Sequence, residues 1–574
     1  MAEEKMDIVG KDLLEQLMFS LYPDAETIYR EYLQNACDSI NEAVSIGVLS
    51  NKKDGHVTIK IDKFHHTITI EDNGTGIKAD EAEMTLKYIA RSKKKRESSA
   101  GFYGIGRLVG GGYCKHLTFV TSAKDEDIAS EMTFDMNQIR EILEDDNDNS
   151  SASEVIHKVT VFKTCPEQSH KHYFKVILKD ILPDYHEILL DEQKINAYLL
   201  QVAPIPYEAT FYNNLISQNI TKDNNKFLDY YNALNAVKVS INDIVGLEKP
   251  YETKFKGTEH EYTDEDGNKR IDNAPINDIK FFTISDPQIG DMAWGWYAYT
   301  PAGTQIREID PYTQEAVLTR GIRLRCHNIQ VGDENVLNKY FKQARSHTYF
   351  NGEIFIINPN IKPTADRSDI APTSVAKKFQ EKLELFFRND LEKLYQEANK
   401  ANKQLENIKK VDEKISQTSE DTELPEESKV KRLTELQEEK QKAQEKFSKI
   451  IAKSNDEKVN ESMRSLAENF KKQYDEYQIS HIVTPQYPYS QSELEEQNNH
   501  VYPEPYMPPV TPMPKPFNVP KTIDDKINEL GEKHTAAEIS MIKRIFHIIE
   551  TRYGKKYTAI VKSIKESVIN DLRK

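Results

Sequence analysis

No stretch of the chain stays apolar for the roughly 18 residues that a membrane span needs, so no transmembrane helix is expected. Cysteine is scarce as well. Cys37, Cys114, Cys165 and Cys326 are scattered without a C-x-x-C pair. That excludes a zinc ribbon and a disulfide framework, and suits a reducing cytoplasm. The opening segment, MAEEKMDIVGKDLLEQL, has neither the basic start nor the apolar middle of a secretory signal. Positive charge is outweighed, with 77 Lys and Arg against 93 Asp and Glu for a net charge of −16. This disfavours a general nucleic-acid binder but leaves room for a local basic face. Apolar residues make up only 38% of the chain and charged residues 30%, a balance that fits a soluble protein with long exposed helices. At 574 residues there is room for roughly three or four domains, and no internal repeat is visible.

Glycine is present but unevenly placed. Gly101, Gly104, Gly106, Gly110, Gly111 and Gly112 fall in one short run of GFYGIGRLVGGGYCKHLTFVTS, out of 22 glycines in the whole chain. Two readings compete: a tight turn with close backbone packing, or backbone N–H groups freed to surround phosphates. The spacing is no dinucleotide fingerprint, because the charged loop RSKKKRESSA precedes it where that motif needs a strand.

Residues 1 to about 215 mix helix and strand. ETIYREYLQNACDSINEAVSIG carries apolar residues at helical spacing and ends near Gly47. HVTIKID and HTITIEDNGTG alternate like paired strands, KADEAEMTLKYIARS returns to helix, and HLTFVTSA, HKVTVFKT and YFKVILKDIL read as further strands. The acidic EDDNDNSSAS reads as a solvated loop. A second α/β region is expected over 216–390. Beyond it, Leu391, Leu394, Ala398, Ala401, Leu405, Ile408 and Ile415 keep a heptad register, resumed after Pro425 by Leu433, Leu436, Ala443, Phe447 and Ile450. A proline between two heptad runs predicts a helical hairpin over 391–480, read as a spacer or dimerisation arm. Residues 481–520 are rich in proline and tyrosine and read as a linker, and 521–574 as a small helical unit.

Three short segments carry the chemistry. EYLQNACDSI places Glu31, Asn35 and Asp38 on one helix face. EDNGTGI ends a strand in Asp72, followed by Asn73, Gly74 and Gly76 in a turn, and GFYGIG opens what should be a helix. A strand-end carboxylate can accept a purine amino group. An amide oxygen one turn from a carboxylate can hold magnesium while the carboxylate polarises water, and glycine-exposed N–H groups can take phosphates. Each segment alone occurs by chance; all three in this order make a strong signal.

This triplet resembles the nucleotide site of the GHKL ATPase superfamily (gyrase B, heat-shock-protein-90 chaperones, histidine kinases, MutL), most of all the heat-shock-protein-90 branch, called HtpG in bacteria. The resemblance rests on YREYLQNACDSI, TIEDNGTGI, YIARSKK and GFYGIG, and extends loosely through LKDILPDYHEILLDEQKINAYLLQVAPIPYEATFY. It implies an α+β protein: a Bergerat-type ATP-binding α/β sandwich over 1–215, an α/β middle domain over 216–390, then the hairpin coiled coil, linker and small helical unit. It implies ATP with Mg2+, Glu31 as general base and Asn35 as magnesium ligand. Asp72 would bind the adenine amino group, backed by Gly76 and flanked by Asn73 and Gly74, with Asp38 sharing the helix face. Gly101, Gly104, Ile105 and Gly106 would wrap the phosphates, and Arg91 and Ser92 would border a lid. In NPNIKPTADRSDIAP, Arg367 is the candidate to reach the γ-phosphate from the second domain, ahead of Lys362. The alternative for Arg367 is an exposed loop salt bridge.

The match is incomplete. SHKHYFKVIL offers Lys171 and His172 where this branch carries a Gly-Thr behind the adenine, and the branch's C-terminal dimerisation domain is not recognisable. IKPTADRSDI and the short basic lid are also similar to MORC-type ATPases. The implied function is an ATP-dependent molecular clamp, cytoplasmic and homodimeric, acting on a protein client or effector. The alternative is a MORC-like ATP-gated clamp on DNA in a bacterial defence or genome-maintenance system; a membrane partner is not expected. Arg320, Arg323 and Arg325 in TRGIRLRCHN alternate on a strand and read as a solvated face rather than a phosphate site.

Overall fold

A computed structural model describes residues 9–16, 18, 24–87, 106–218, 220, 225–234, 236–253, 260–263, 269–272, 276, 279–300, 306–309, 316–454 and 461–480. The linker and small helical unit expected over 481–574 lie outside them, as do Arg91, Ser92, Gly101, Gly104 and Ile105. The architecture is α+β.

After a single helical turn at Asp12–Glu15, the first lobe carries helix α1 (Thr27–Ser45), whose apolar stripe buries Ile28, Tyr32, Leu33, Ala36, Ile40 and Ala43. It ends where Gly47 takes a φ of +76°, a left-handed conformation that glycine adopts without a Cβ penalty. Strands β1 (His56–Asp62) and β2 (Thr67–Asp72) pair antiparallel, with Val57 opposite Asp72. Helix α2 (Ala79–Lys87) follows. The helix expected to open at GFYGIG takes the 3-10 form over Gly106–Tyr113. Then come β3 (Cys114–Ser122), β4 (Ile128–Asp135), α3 (Met136–Glu144) and α4 (Ala152–Val159). Helix α4 occupies the start of a segment expected to be strand throughout. Its cause is a capping box inside the acidic loop: the Ser151 hydroxyl accepts from Glu154 N, and Ser151 N donates to the Glu154 carboxylate at 2.7 Å. Strands β5 (Thr160–Pro166) and β6 (Tyr173–Ile181) and helix α5 (Glu192–Val202) complete this run.

Strand β7 (Lys238–Ile241) then returns to pair parallel with β1, giving a seven-stranded sheet in the order β5-β4-β3-β6-β2-β1-β7. The sheet of the first lobe therefore extends past residue 215. One face buries Ile59, Ile70, Leu117, Phe119 and Val176 against α1 and its neighbours in a single cluster. The other face is more polar, and Thr118 and Thr133 hydrogen-bond across it at 2.9 Å.

After the two-stranded ribbon β8 (His260–Thr263) and β9 (Lys269–Asp272), a second sheet forms from β10 (Ile279–Asp286), β11 (Gly290–Tyr299), β12 (Gly321–Cys326), β13 (Ile329–Val331) and β14 (Phe350–Ile356), in the order β10-β11-β14-β12-β13. It is covered on both faces. Ile322, Leu324 and Ile354 join one apolar cluster, while Trp294, Trp296 and Phe355 join another. The arginines of β12 are consequently not a solvated face: Arg323 and Arg325 are buried at 3% and 1% exposure. Arg325 is bonded to the carboxylate of fully buried Glu353 and donates to Gln201 O at 2.8 Å and Asn328 O at 3.0 Å. Lys249 Nζ meets the same carboxylate at 2.7 Å and Asn328 Oδ1 at 2.9 Å. Tyr207 donates its hydroxyl proton to Glu353 and accepts from Trp296 Nε1.

Helix α6 (Ser374–Phe386) runs through a π-turn at Phe387–Leu391 into α7 (Glu392–Glu420), and Pro425 opens α8 (Glu426–Ser454). A third helix, α9 (Glu461–Ser480), packs beside the expected hairpin, with Gln444 Nε2 donating to the Tyr474 hydroxyl at 2.8 Å. The heptad positions Leu394, Ala398, Ala401, Leu405 and Ile408 share one apolar cluster with the second sheet, together with Phe447 and Phe470. The helices thus continue the second lobe's core. No described helix is long and apolar enough to cross a membrane.

Candidate functional site

The site is assembled on α1. Residues four apart share a helix face, so this helix presents two adjacent rows: Glu31 and Asn35, and, one residue back, Arg30 and Gln34. Glu31 is 4% exposed, with Arg30 Nε 3.7 Å from its Oε1. Its other oxygen lies against the backbone of Gly106, where a Cβ would stand 2.7 Å from Oε2. Tyr32 fixes the 3-10 turn behind this contact: its hydroxyl donates to Arg107 O and accepts from Gly110 N, both at 3.0 Å. Burial brings the Arg107 guanidinium down to about 10.

Strand β2 alternates half-buried and buried, and the buried phase carries Ile68, Ile70 and then Asp72. A carboxylate thus ends a row of core-facing side chains at 4% exposure. Its Oδ1 accepts from Gly74 N at 2.8 Å. The DNGTG turn is threaded between α1 and the ends of β3 and β6. Ser39 Oγ accepts from Thr75 N at 3.1 Å, Thr121 Oγ1 accepts from Ile77 N at 2.8 Å, and His172 Nδ1 donates to Gly74 O at 2.7 Å. Gly76 is dictated by this path: its φ is +64°, and a Cβ there would lie 1.9 Å from Ser122 O. Asn73 closes the hairpin instead, its Oδ1 accepting from His56 N at 2.7 Å and its Nδ2 donating to Asp54 O at 2.9 Å. Phe174 stands directly across from Asp72 on β6.

The second lobe reaches this helix through the loop 363–370. Arg367 is 2% exposed, and its φ of +58° places a non-glycine residue in the left-handed region, at a cost of order 1–3 kcal/mol. Its Nη1 donates to Gln34 Oε1 at 2.8 Å and its Nη2 to Cys326 O at 2.9 Å. In return Arg30 Nη2 donates to Asp366 O at 2.8 Å. Burial lowers the Arg367 guanidinium from its usual range, as does Arg30's charge, while the charges of Cys326, Glu31 and Asp38 oppose the shift. Among the described residues no carboxylate forms a salt bridge with Arg367, and its Nε finds no hydrogen-bond partner. His327, at the β12–β13 turn, lies near Asp38; burial and then Arg367 lower its pKa, and Asp38 opposes them. Lys362 lies earlier in the same segment, its carbonyl accepting from Ala371 N at 2.7 Å.

The structure thus brings Glu31, Asp38, Gly106 and Arg367 to one helix, and Asp72, Gly74 and Gly76 to the turn held against that helix by Ser39. Arg30, Gln34, Ser39 and Thr121 carry no mark in the sequence motifs, whereas His172, expected only as a departure from the Gly-Thr behind the adenine, holds the Gly74 carbonyl. Ser39 was findable, since it continues the Glu31–Asn35 row by another four residues. Gln34 and Arg30 have meaning only once the second lobe is in place.

Residues 24–171 match a protein family described as Histidine kinase-, DNA gyrase B-, and HSP90-like ATPase. Among curated proteins, a "Chaperone protein HtpG" of Clostridium acetobutylicum is 32% identical over 123 residues, 20% of this chain and 20% of that protein. One from Clostridium perfringens is 29% identical over 172 residues, 27% of this chain and 28% of its own length. One from Burkholderia lata is 40% identical over 102 residues, 17% and 16% respectively. The chain spans no more than 28% of the length of these three relatives. These similarities place a GHKL-type ATPase domain like that of the HtpG proteins within the first lobe.

Proposed function

We propose that the protein is a magnesium-dependent ATPase, a homodimeric, cytoplasmic molecular clamp in which ATP drives lid closure and association of the two N-terminal domains on a protein client. The observation that carries this reading is Arg367, a buried guanidinium delivered from the second lobe onto the helix that bears Glu31. Held between two neutral oxygens, it keeps its charge for an anion.

In this reading Asp72 accepts the adenine amino group and the turn through Gly74 and Gly76 shapes the base pocket. Glu31 takes a proton from the attacking water, and its burial beside Gly106 keeps it fixed. Asn35 is the residue to hold Mg2+, which would screen the triphosphate's charge. Gly101, Gly104, Ile105 and Gly106 supply backbone N–H groups, and Arg91 and Ser92 border the covering segment. Asp38 acts at a distance, on the charge balance around His327 and Arg367. Arg367 offsets the charge that grows on the transferred phosphoryl group, so turnover requires the lobes to be docked.

Glu31→Ala tests the assignment. Hydrolysis should fall to background while ATP still binds by calorimetry; turnover that survives would overturn the role given to Glu31. Addition of duplex DNA separates the client clamp from a nucleic-acid clamp, since only the latter gains ATPase activity that salt then suppresses.

A further inference from the structure

We infer that Gln34 is the positioning residue that holds Arg367 at the site without neutralising it, and that an amide is required there. The inference deepens the ATPase reading above and rests on it.

Gln34 is 6% exposed on the α1 row that faces the second lobe, one residue before Asn35 and three after Glu31. A guanidinium has five N–H donors. Here Gln34 Oε1 takes one at 2.8 Å and Cys326 O another at 2.9 Å, both neutral acceptors. Arg30 adds a second strap by gripping the Asp366 carbonyl at 2.8 Å. A cation buried without a paired carboxylate, on a backbone in the left-handed region, is doubly unfavourable. A carboxylate on α1 would remedy the first cost with a charge-assisted bond. It would also cancel the positive charge that a phosphoryl group needs. An amide is the acceptor that fixes direction and leaves charge. Because Gln34 sits one residue from Asn35, seating the second lobe aligns Arg367 with the pocket through a single turn of helix.

Two substitutions separate holding from charge. Gln34→Glu keeps size and acceptor but adds a negative charge; Gln34→Met keeps length and removes the acceptor. In nucleotide-free protein, amide exchange over residues 363–370 should be as slow as wild type or slower for Gln34→Glu, and faster for Gln34→Met. ATP turnover should fall at least about tenfold in both, a fraction of the 10³–10⁵ that such an arginine supplies. Calorimetric affinity for ADP should stay within about twofold of wild type, while affinity for ADP with aluminium fluoride, which mimics the transferred group, should fall in step with turnover. Wild-type turnover in Gln34→Glu, or ADP and ADP–aluminium fluoride weakening equally, would overturn the inference. So would unchanged exchange over 363–370 in Gln34→Met. If wild-type protein hydrolyses no ATP, the ATPase reading falls by itself, and the exchange measurement still decides whether Gln34 holds the loop.

Discussion

Replacing Glu353 with Gln tests the buried ion cluster of the second lobe. Glu353 is fully buried and receives Lys249, Arg325 and Tyr207. The amide keeps the shape but leaves two cations in a dry interior with no counter-charge, which costs about 3–5 kcal/mol. The relief open to the protein is to discharge Lys249, whose pKa burial, and next the charge of Arg325, have already pushed down to about 7, against the pull of Glu353. Removing Glu353 lowers it further. The sign of the pH dependence follows. The unfolded lysine binds its proton up to about 10.4 while the folded one has lost it, so the unfolded state holds more protons and stability rises with pH. Wild-type Lys249 also loses its proton near pH 7, so the Glu353→Gln defect should shrink by up to about 1.4 kcal/mol per pH unit as pH rises toward 7 and then level off. The chain supplies its own reporter: its two tryptophans, Trp294 and Trp296, both lie on β11, and Trp296 donates to the Tyr207 hydroxyl. Urea unfolding followed by tryptophan fluorescence from about pH 5 to 8 reads this lobe directly across that window. A loss below about 1 kcal/mol at pH 7, or a defect that grows with pH, would refute the reasoning.

Two further outcomes are expected. Gly76→Ala should abolish nucleotide binding and destabilise the first lobe by more than about 1 kcal/mol, since it forces a Cβ onto the Ser122 carbonyl from a left-handed backbone; calorimetry with ADP and thermal unfolding check both. Asp291 should matter on the acid side. Burial alone would raise its pKa, but Lys226, Ser285 and Tyr230 bring it down to about 2. A folded value below the unfolded one means this contribution is whole above roughly pH 4 and disappears as pH falls through about 2. Asp291→Asn should flatten that limb of the stability profile.

The nucleotide motifs were legible because they are local. Asp72 ends a strand whose alternation is visible in TITIED, and Glu31 lies on a helix whose stripe is visible in its spacing. What escaped depends on contacts far apart in the chain. Arg323 and Arg325 alternate with Ile322 and Leu324, the pattern of a half-wet strand, yet both faces of this sheet are covered. The clue was Glu353, a carboxylate in the otherwise uncharged strand FNGEIFI, with Arg323 as its cross-strand neighbour on β12. HKVTVFKT reads as strand from its first residue, but the Ser151–Glu154 capping box inside the acidic loop starts a helix that runs on to Val159. Arg367 was legible as a residue, whereas its partner Gln34 is 333 positions away and had no signature of its own.

The route of the chain between the lobes bears on how they can move. Ile205 packs in the first lobe's core and Tyr207 in the second's; Val237 through Leu247 are back in the first, and Tyr251 is again in the second. The backbone therefore passes the seam at three separated places rather than through one tether. A single connecting strand acts as a swivel, but three side by side act as a door hung on several pins. They permit rocking about the line that joins them and resist detachment or free rotation. A fragment cut at 215 would lose one strand of its sheet, leaving the β1 edge bare and prone to self-association.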